Sequence, residues 1–146
     1  MKKSLIFIAA CLILSSCVTT SSLYYWGGES NDVTLYESLA YKTYDKQTPE
    51  SICKLVVAYE DIVQHPVGSR QMPPPGICAE YGYLLLQPET AGIFAMYATD
   101  KQKRSFGGTD YILIFRQKGE EMMKKEMELY PESATFIAPL IKRFTE

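Results

Sequence analysis

The chain has 146 residues, of which 47% are hydrophobic and 22% are charged, with 15 Lys and Arg against 17 Asp and Glu. This length suffices for one domain with its own hydrophobic core. The slightly acidic balance provides neither the basic footprint of a nucleic-acid-binding protein nor a polybasic patch for lipid headgroups, which argues against both kinds of binding.

Residues 1–16 are predicted to be a secretory signal peptide. Two lysines begin the segment, residues 5–14 form an apolar run, and two serines precede the predicted cleavage site. A helix that spans a bilayer needs about twenty apolar residues, so this run is too short to cross a membrane by itself.

The sequence Leu14-Ser15-Ser16-Cys17 resembles the lipobox of bacterial lipoproteins. This resemblance implies that the chain is cut before Cys17 and that this cysteine carries acyl chains such as palmitate. Several acyl chains anchor a protein firmly, whereas one holds it only marginally. No aspartate or acidic cluster follows Cys17, which resembles retention at the outer membrane, facing the periplasm. The alternative is an ordinary signal peptide with an unmodified Cys17.

Cleavage would remove two of the 15 basic residues and none of the 17 acidic ones, which leaves a net charge of −4. Cys11 would leave with the signal peptide, so that Cys53 and Cys78 would be the cysteines available beyond Cys17. An oxidising periplasm permits a disulfide between them. Both cysteines lie in apolar helical patterns, where buried free thiols are common. A disulfide and two free thiols therefore remain alternatives.

Residues 17–31 are predicted to contain the lipidated cysteine, a flexible tether and an aromatic segment, which we define as residues 23–28. The aromatic segment reads Leu-Tyr-Tyr-Trp-Gly-Gly. It could fold back onto the domain as a hydrophobic plug, with the glycines forming a turn. It could also remain exposed for a partner, since Trp and Tyr are frequent interface anchors. The candidate partner contacts are Tyr24, Tyr25 and Trp26.

Residues 32–146 are predicted to form an all-α domain, because apolar residues recur there at helical spacing between capping and proline signals. The charged run over residues 100–104 is expected to be solvated. The predicted helices run from an N-cap at Asp32 to Lys46, from Thr48-Pro49 to His65, over 77–87, from an opening at Pro88-Glu89-Thr90 through Tyr97, from Asp110 to about Tyr130, and beyond Pro131 with a kink at Pro139.

Two of these helices are similar to the halves of a tetratricopeptide repeat. Gly82 is expected to let another helix approach closely. The repeat's glycine and final proline are about 24 residues apart, whereas Gly82 and Pro131 are 49 apart, which indicates an insertion between Gln87 and Asp110. We therefore predict a small tetratricopeptide-like bundle of five or six helices. The matching residues are Tyr81, Gly82 and Leu85 in one half, and Gly119, Met123 and Pro131 in the other.

Several short motifs occur together in one order along the mature chain. They are the lipobox cysteine, the aromatic segment, Pro74-Pro75-Gly76, Tyr81-Gly82-Tyr83-Leu84 and Leu129-Tyr130-Pro131-Glu132-Ser133. This set resembles the bacterial lipoprotein family called domain of unknown function 4810. The resemblance implies a tetratricopeptide-like outer-membrane lipoprotein that assembles with other envelope lipoproteins, among them one similar to the curli secretion-channel component.

No residue pattern predicts catalysis, a metal site or a cofactor. The single histidine, His65, precedes a proline and is expected to be a solvated turn residue. The acidic residues Glu120, Glu121, Glu126 and Glu128 are interpreted as a solvated helix face. The pair Gly107-Gly108 lacks the lysine and the preceding strand of a phosphate-binding loop.

Two functions are therefore compared. The first is a non-enzymatic outer-membrane lipoprotein that acts as a protein–protein interaction module, in an envelope or secretion-channel assembly. The alternative is a periplasmic carrier or sensor that binds an apolar ligand between helices, near Phe94, Met122 and Met123.

Overall fold

The computed structural model describes residues 22–145. The predicted signal peptide, Cys17 and the first part of the tether lie outside the described residues. The described residues are mostly helical, which confirms the predicted all-α class. The elements in chain order are β1 (Glu29–Ser30), β2 (Val33–Thr34), α1 (Leu35–Lys46), α2 (Pro49–Gln64), α3 (Ile77–Leu86), α4 (Thr90–Tyr97), α5 (Asp100–Lys103), α6 (Tyr111–Leu129), a 3-10 turn (Pro131–Ser133) and α7 (Ala134–Thr145).

A small hairpin precedes the first helix. Strands β1 and β2 pair antiparallel, with Glu29 opposite Thr34. The two residues between the strands, Asn31 and Asp32, have φ angles of 54° and 61°, which are the left-handed conformations of a tight hairpin turn. The prediction that Asp32 caps α1 is therefore wrong. The cap is Thr34, whose side chain accepts a hydrogen bond from the Glu37 N–H.

The predicted N-caps of α2 and α6 are confirmed. The Thr48 side chain accepts a hydrogen bond from the Ser51 N–H, and Pro49 occupies the first turn of α2. Asp110 caps α6 by accepting from the Leu113 N–H at 3.2 Å. Both caps were predicted, because a cap depends on residues that are three positions apart.

Helices α3 and α6 cross at a pair of glycines. An ideal Cβ on Gly82 would lie 2.7 Å from the Gly119 carbonyl oxygen, and one on Gly119 would lie 3.1 Å from the Gly82 oxygen. The predicted close approach at Gly82 is thereby confirmed. The two halves assigned to the repeat thus pack on each other, although α4 and α5 separate them along the chain.

The insertion between Gln87 and Asp110 folds onto the core. Phe94 of α4 is fully buried, with its ring centroid 5.1–5.2 Å from those of Phe106, Tyr111 and Phe115. The charged run over residues 100–104 contains no buried residue, as predicted, and it includes the one-turn helix α5. A reciprocal capping box between Thr99 and Gln102 starts it.

The last helix continues through Pro139 as one element, Ala134–Thr145. Its Ile137 is buried, and Phe144 packs edge-on against Tyr83 of α3 at 5.8 Å. Among the described residues, no helix combines the length and the apolar character that crossing a membrane requires.

Candidate functional site

The aromatic segment packs against the first two helices. The Tyr25 hydroxyl donates to Asp61 Oδ2 at 3.1 Å. The Trp26 ring lies 5.3 Å from the Tyr36 ring, and the Tyr36 N–H donates to the Trp26 carbonyl at 3.2 Å. The segment therefore folds back onto the domain, as the plug interpretation predicts. Each of its three rings is only partly buried, so part of each remains accessible.

Backbone hydrogen bonds fix the start of this segment on the loop after α2. The N–H groups of Ser69 and Arg70 donate to the carbonyls of Ser22 and Leu23, both at 3.1 Å. Gly68 makes this contact possible, because a Cβ there would collide with the Leu23 backbone. The aromatic segment is thus part of the folded unit, and the predicted boundary between residues 31 and 32 falls inside the hairpin.

A groove lies beside the aromatic segment, between α1, α2 and the chain that follows α5. Its volume is about 570 Å³. Leu35, Leu39 and Val57 contribute apolar side chains to it, while Lys54 and Asp61 are among its polar ones. An open groove lined by both apolar and polar side chains is a common form of a binding surface.

Asp61 links the groove to the aromatic segment. One of its oxygens accepts from Tyr25, and the other lies 3.1 Å from His65 Nδ1. The His65 side chain is 69% exposed and follows the end of α2, which agrees with its predicted place in a solvated turn. Leu35 also belongs to both features, since its N–H donates to the Gly28 carbonyl at 2.9 Å and its side chain lines the groove.

A row of four aromatic rings in contact runs inward from Trp26. Successive ring centroids from Trp26 through Tyr36 and Tyr59 to Tyr81 are 5.3, 5.8 and 5.6 Å apart. Such aromatic pairs contribute about 0.5–1.5 kcal/mol each beyond the area that they bury. The row connects the aromatic segment to the centre of the bundle.

Carboxylates accept hydrogen bonds from three tyrosine hydroxyls of this row. Glu80 Oε2 accepts from both Tyr36 and Tyr59 at 2.7 Å, and Glu60 Oε2 accepts from Tyr81 at 2.8 Å. Burial, and then the adjacent carboxylates, raise the pKa of all three tyrosines, so the hydroxyls stay protonated donors.

Glu60 is also paired with a lysine. Its Oε1 lies 3.1 Å from Lys118 Nζ on α6, and the two side chains are only 12% and 19% exposed. The positive charge of Lys118 thus balances the negative charge of the Glu60 carboxylate. This pair could not be predicted from the sequence, because its members are 58 positions apart and no local pattern joins them.

Glu126 holds the start of α3. Its carboxylate accepts from the Gly76 N–H at 2.7 Å and the Ala79 N–H at 3.4 Å, and the residue is only 2% exposed. Its interpretation as part of a solvated helix face is therefore wrong. Burial raises its pKa, while the backbone donors and the positive end of α3 oppose that shift. The role is structural, since the carboxylate replaces a missing side-chain cap at Gly76.

Cys53 and Cys78 are both buried free thiols in the structure. Cys53 Sγ lies 3.9 Å from the Ile93 carbonyl. Burial raises the pKa of Cys53 to about 11 and that of Cys78 to about 12. Both groups are therefore protonated near neutral pH and poor nucleophiles.

The three residues predicted to contact an apolar ligand, Phe94, Met122 and Met123, belong to the hydrophobic core. Met122 and Met123 are each 1% exposed and Phe94 is 0% exposed. Phe94 is enclosed by other rings, and Met123 packs at the glycine crossing. These side chains therefore fill the interior of the bundle.

Across residues 22–145, no three His, Cys, Asp or Glu side chains are grouped so as to hold a metal ion. Asp61 and Leu35 join the groove to the aromatic segment. Comparison of the chain with protein-family models, with curated proteins and with solved structures found no match.

Proposed function

We propose that this chain is a non-enzymatic bacterial lipoprotein that is anchored through Cys17 in the outer membrane and faces the periplasm. On this proposal it is a protein–protein interaction module within an assembly of envelope lipoproteins. The lipobox supports the anchor, and the resemblance to domain of unknown function 4810 suggests a component similar to the curli secretion channel as one partner.

The continuous surface formed by the aromatic segment and the groove carries this proposal. Leu23 of the aromatic segment is 60% exposed, and Leu35, which lines the groove of about 570 Å³, is 44% exposed. Exposed apolar side chains beside a groove with polar edges are typical of a surface that a partner covers. We propose that an apolar segment of the partner protein occupies the groove.

The position of this surface suits a membrane-bound partner. The predicted anchor at Cys17 precedes Ser22 by five positions, and Ser22 is fixed to the loop after α2. The groove therefore lies near the end of the molecule that the anchor would hold at the membrane. Another lipoprotein in the same leaflet could reach it.

Site-specific photocrosslinking in the native bacterium tests the groove. A benzophenone side chain at Leu35 should yield discrete adducts with envelope proteins. The same group at Tyr41 is the matched control, because Tyr41 lies on the same helix, is 73% exposed and does not line the groove. Identical adducts at both positions, or adducts with abundant lipoproteins only, would contradict the proposal.

Membrane fractionation tests the anchor separately. Cys17→Ser should move the protein from the membrane to the soluble fraction and abolish labelling by an alkyne analogue of palmitate. Cys11→Ser is the control, because this cysteine would leave with the signal peptide and its loss should change neither result. Retention of the Cys17→Ser protein in the outer membrane would contradict lipid anchoring.

A further inference from the structure

A second groove lies at the other end of the bundle. It has a volume of about 370 Å³ between the end of α3, the start of α4, α6 and the end of α7. Leu85, Leu86 and Phe144 contribute apolar side chains, and Ile112 at the same groove is 68% exposed. We name it the arginine groove, after two further residues of its lining, Arg116 and Arg143.

The two arginines are exposed and available for a partner. Within residues 22–145, neither guanidinium has a salt bridge or a side-chain hydrogen bond. The residues that line the groove include no Asp or Glu. Two unpaired positive charges therefore border one apolar depression, on a chain whose mature net charge is −4.

This combination fits one kind of ligand chemistry. An arginine binds a carboxylate with two parallel hydrogen bonds, while the apolar lining gains by covering apolar side chains. We infer that the arginine groove binds a protein segment that carries Asp or Glu next to one or two large apolar residues. This inference deepens the proposed function, on which it rests, by adding a second contact surface and the charge of its partner.

The location favours a protein over the membrane as the source of the negative charge. Tyr130, directly after α6, lies against Tyr24 of the aromatic segment. Arg116 is 14 positions earlier on that helix, which corresponds to about 21 Å at the usual rise. The arginine groove thus lies away from the end that the predicted anchor would hold at the lipid surface.

Selection from a random 12-residue peptide library on phage tests the inference on the Cys17→Ser protein. Enriched peptides should combine Asp or Glu with Leu, Ile or Phe. For a synthetic enriched peptide, Arg116→Ala with Arg143→Ala should weaken binding on the order of tenfold, measured by fluorescence anisotropy. Replacing the peptide's acids by amides should have a similar effect, and added salt should weaken binding to the unchanged protein.

The chain offers a matched control, since Arg70 and Arg104 are its other two arginines and both are exposed. Arg70→Ala with Arg104→Ala should leave the affinity unchanged. Circular dichroism of both double variants should match that of the parent protein, because all four side chains are exposed.

Several results would overturn the inference. These are no enrichment, enrichment of peptides without acids, and equal binding by the two double variants. Arginine-dependent binding to vesicles of phosphatidylglycerol and phosphatidylethanolamine would assign the groove to lipid instead, and an arginine-dependent dimer in sedimentation would assign it to a second copy. Adducts at Leu35 without any acidic preference in the library would reject this inference and leave the proposed function standing.

Discussion

The Gly119 carbonyl oxygen lies 2.7 Å from the position that a Cβ on Gly82 would occupy. This contact brings the backbones of α3 and α6 together at the centre of the bundle. The two groups nearest to such a Cβ are the Gly119 backbone and the buried side chain of Met123, and neither can move away easily.

We therefore expect Gly82→Ala to lower the free energy of unfolding by about 1–3 kcal/mol, the usual cost of overpacking a core. Urea denaturation of the Cys17→Ser protein, followed by circular dichroism at 222 nm, measures the change. Gly92→Ala is the control, because nothing lies within 4 Å of a Cβ there and alanine is the better helix former by up to about 1 kcal/mol. Equal stability of the two variants would contradict the close crossing.

Glu126→Gln should also destabilise the protein, by about 1–3 kcal/mol. The glutamine amide would present a donor to one of the N–H groups at Gly76 and Ala79 that now donate to the carboxylate. Glu128→Gln, on the same helix but exposed, is the matched control and should change stability little. A comparable loss in both variants would refute the capping role of Glu126.

The buried Glu126 carboxyl also predicts that the stability of the protein depends on pH. Burial raises the pKa of Glu126 above its ordinary value of 4.5, so the folded protein binds this proton more tightly than the unfolded chain does. The resulting stabilisation is complete below the unfolded pKa and is lost as the pH rises through the folded pKa. The stability advantage of the parent over Glu126→Gln should therefore be larger at pH 4 than at pH 8. An advantage that grows with pH would contradict the raised pKa.

Gly68→Ala should loosen the aromatic segment while leaving the helices intact. A Cβ at this position would collide with the backbone of Leu23 and Tyr24, so the segment would have to move. Trp26 is the single tryptophan, and its emission should shift to longer wavelength as it becomes more hydrated. Gly107→Ala is the control, because a Cβ there meets nothing within 4 Å. An unchanged emission maximum in the Gly68 variant would show that the segment is not fixed at this loop.

The thiols of Cys53 and Cys78 should be inaccessible in a folded Cys17→Ser protein that begins at residue 17. Cys53 is 1% exposed, Cys78 is 0% exposed, and burial raises the pKa of both. A thiol reagent such as Ellman's should label neither at neutral pH, and both after denaturation in guanidinium. Labelling of neither cysteine after denaturation without reductant would indicate a disulfide and contradict the structure.

Helix caps could be predicted from the sequence, because they depend on residues close together along the chain. Thr48 and Asp110 cap their helices through hydrogen bonds to residues three positions away, so the sequence alone reveals them. The cap predicted at Asp32 is wrong, because Asp suits both a helix cap and the left-handed turn that it occupies. The next candidate along the chain, Thr34, is the cap.

Features that depend on contacts between residues far apart in the sequence could not be predicted from it. Glu126 lies among charged residues on α6 and so has the sequence pattern of a solvated face, yet its partner Gly76 is 50 positions away. The bonds from Tyr36 and Tyr59 to Glu80 likewise depend on the packing of three helices. Both grooves combine residues from separate helices, and no periodicity in one helix predicts such a meeting.

The hydrogen bonds that fix Ser22 and Leu23 to the loop after α2 would also set how far the domain can stand from the membrane. Five peptide units join Cys17 to Ser22, and an extended chain covers at most about 3.3–3.6 Å per residue. On the proposed lipidation, the first fixed point would therefore stand no more than about 18 Å from Cys17. Such a short connection would limit the distance between the domain and the membrane. Only partners that present their contact surface within that distance of the membrane could then bind.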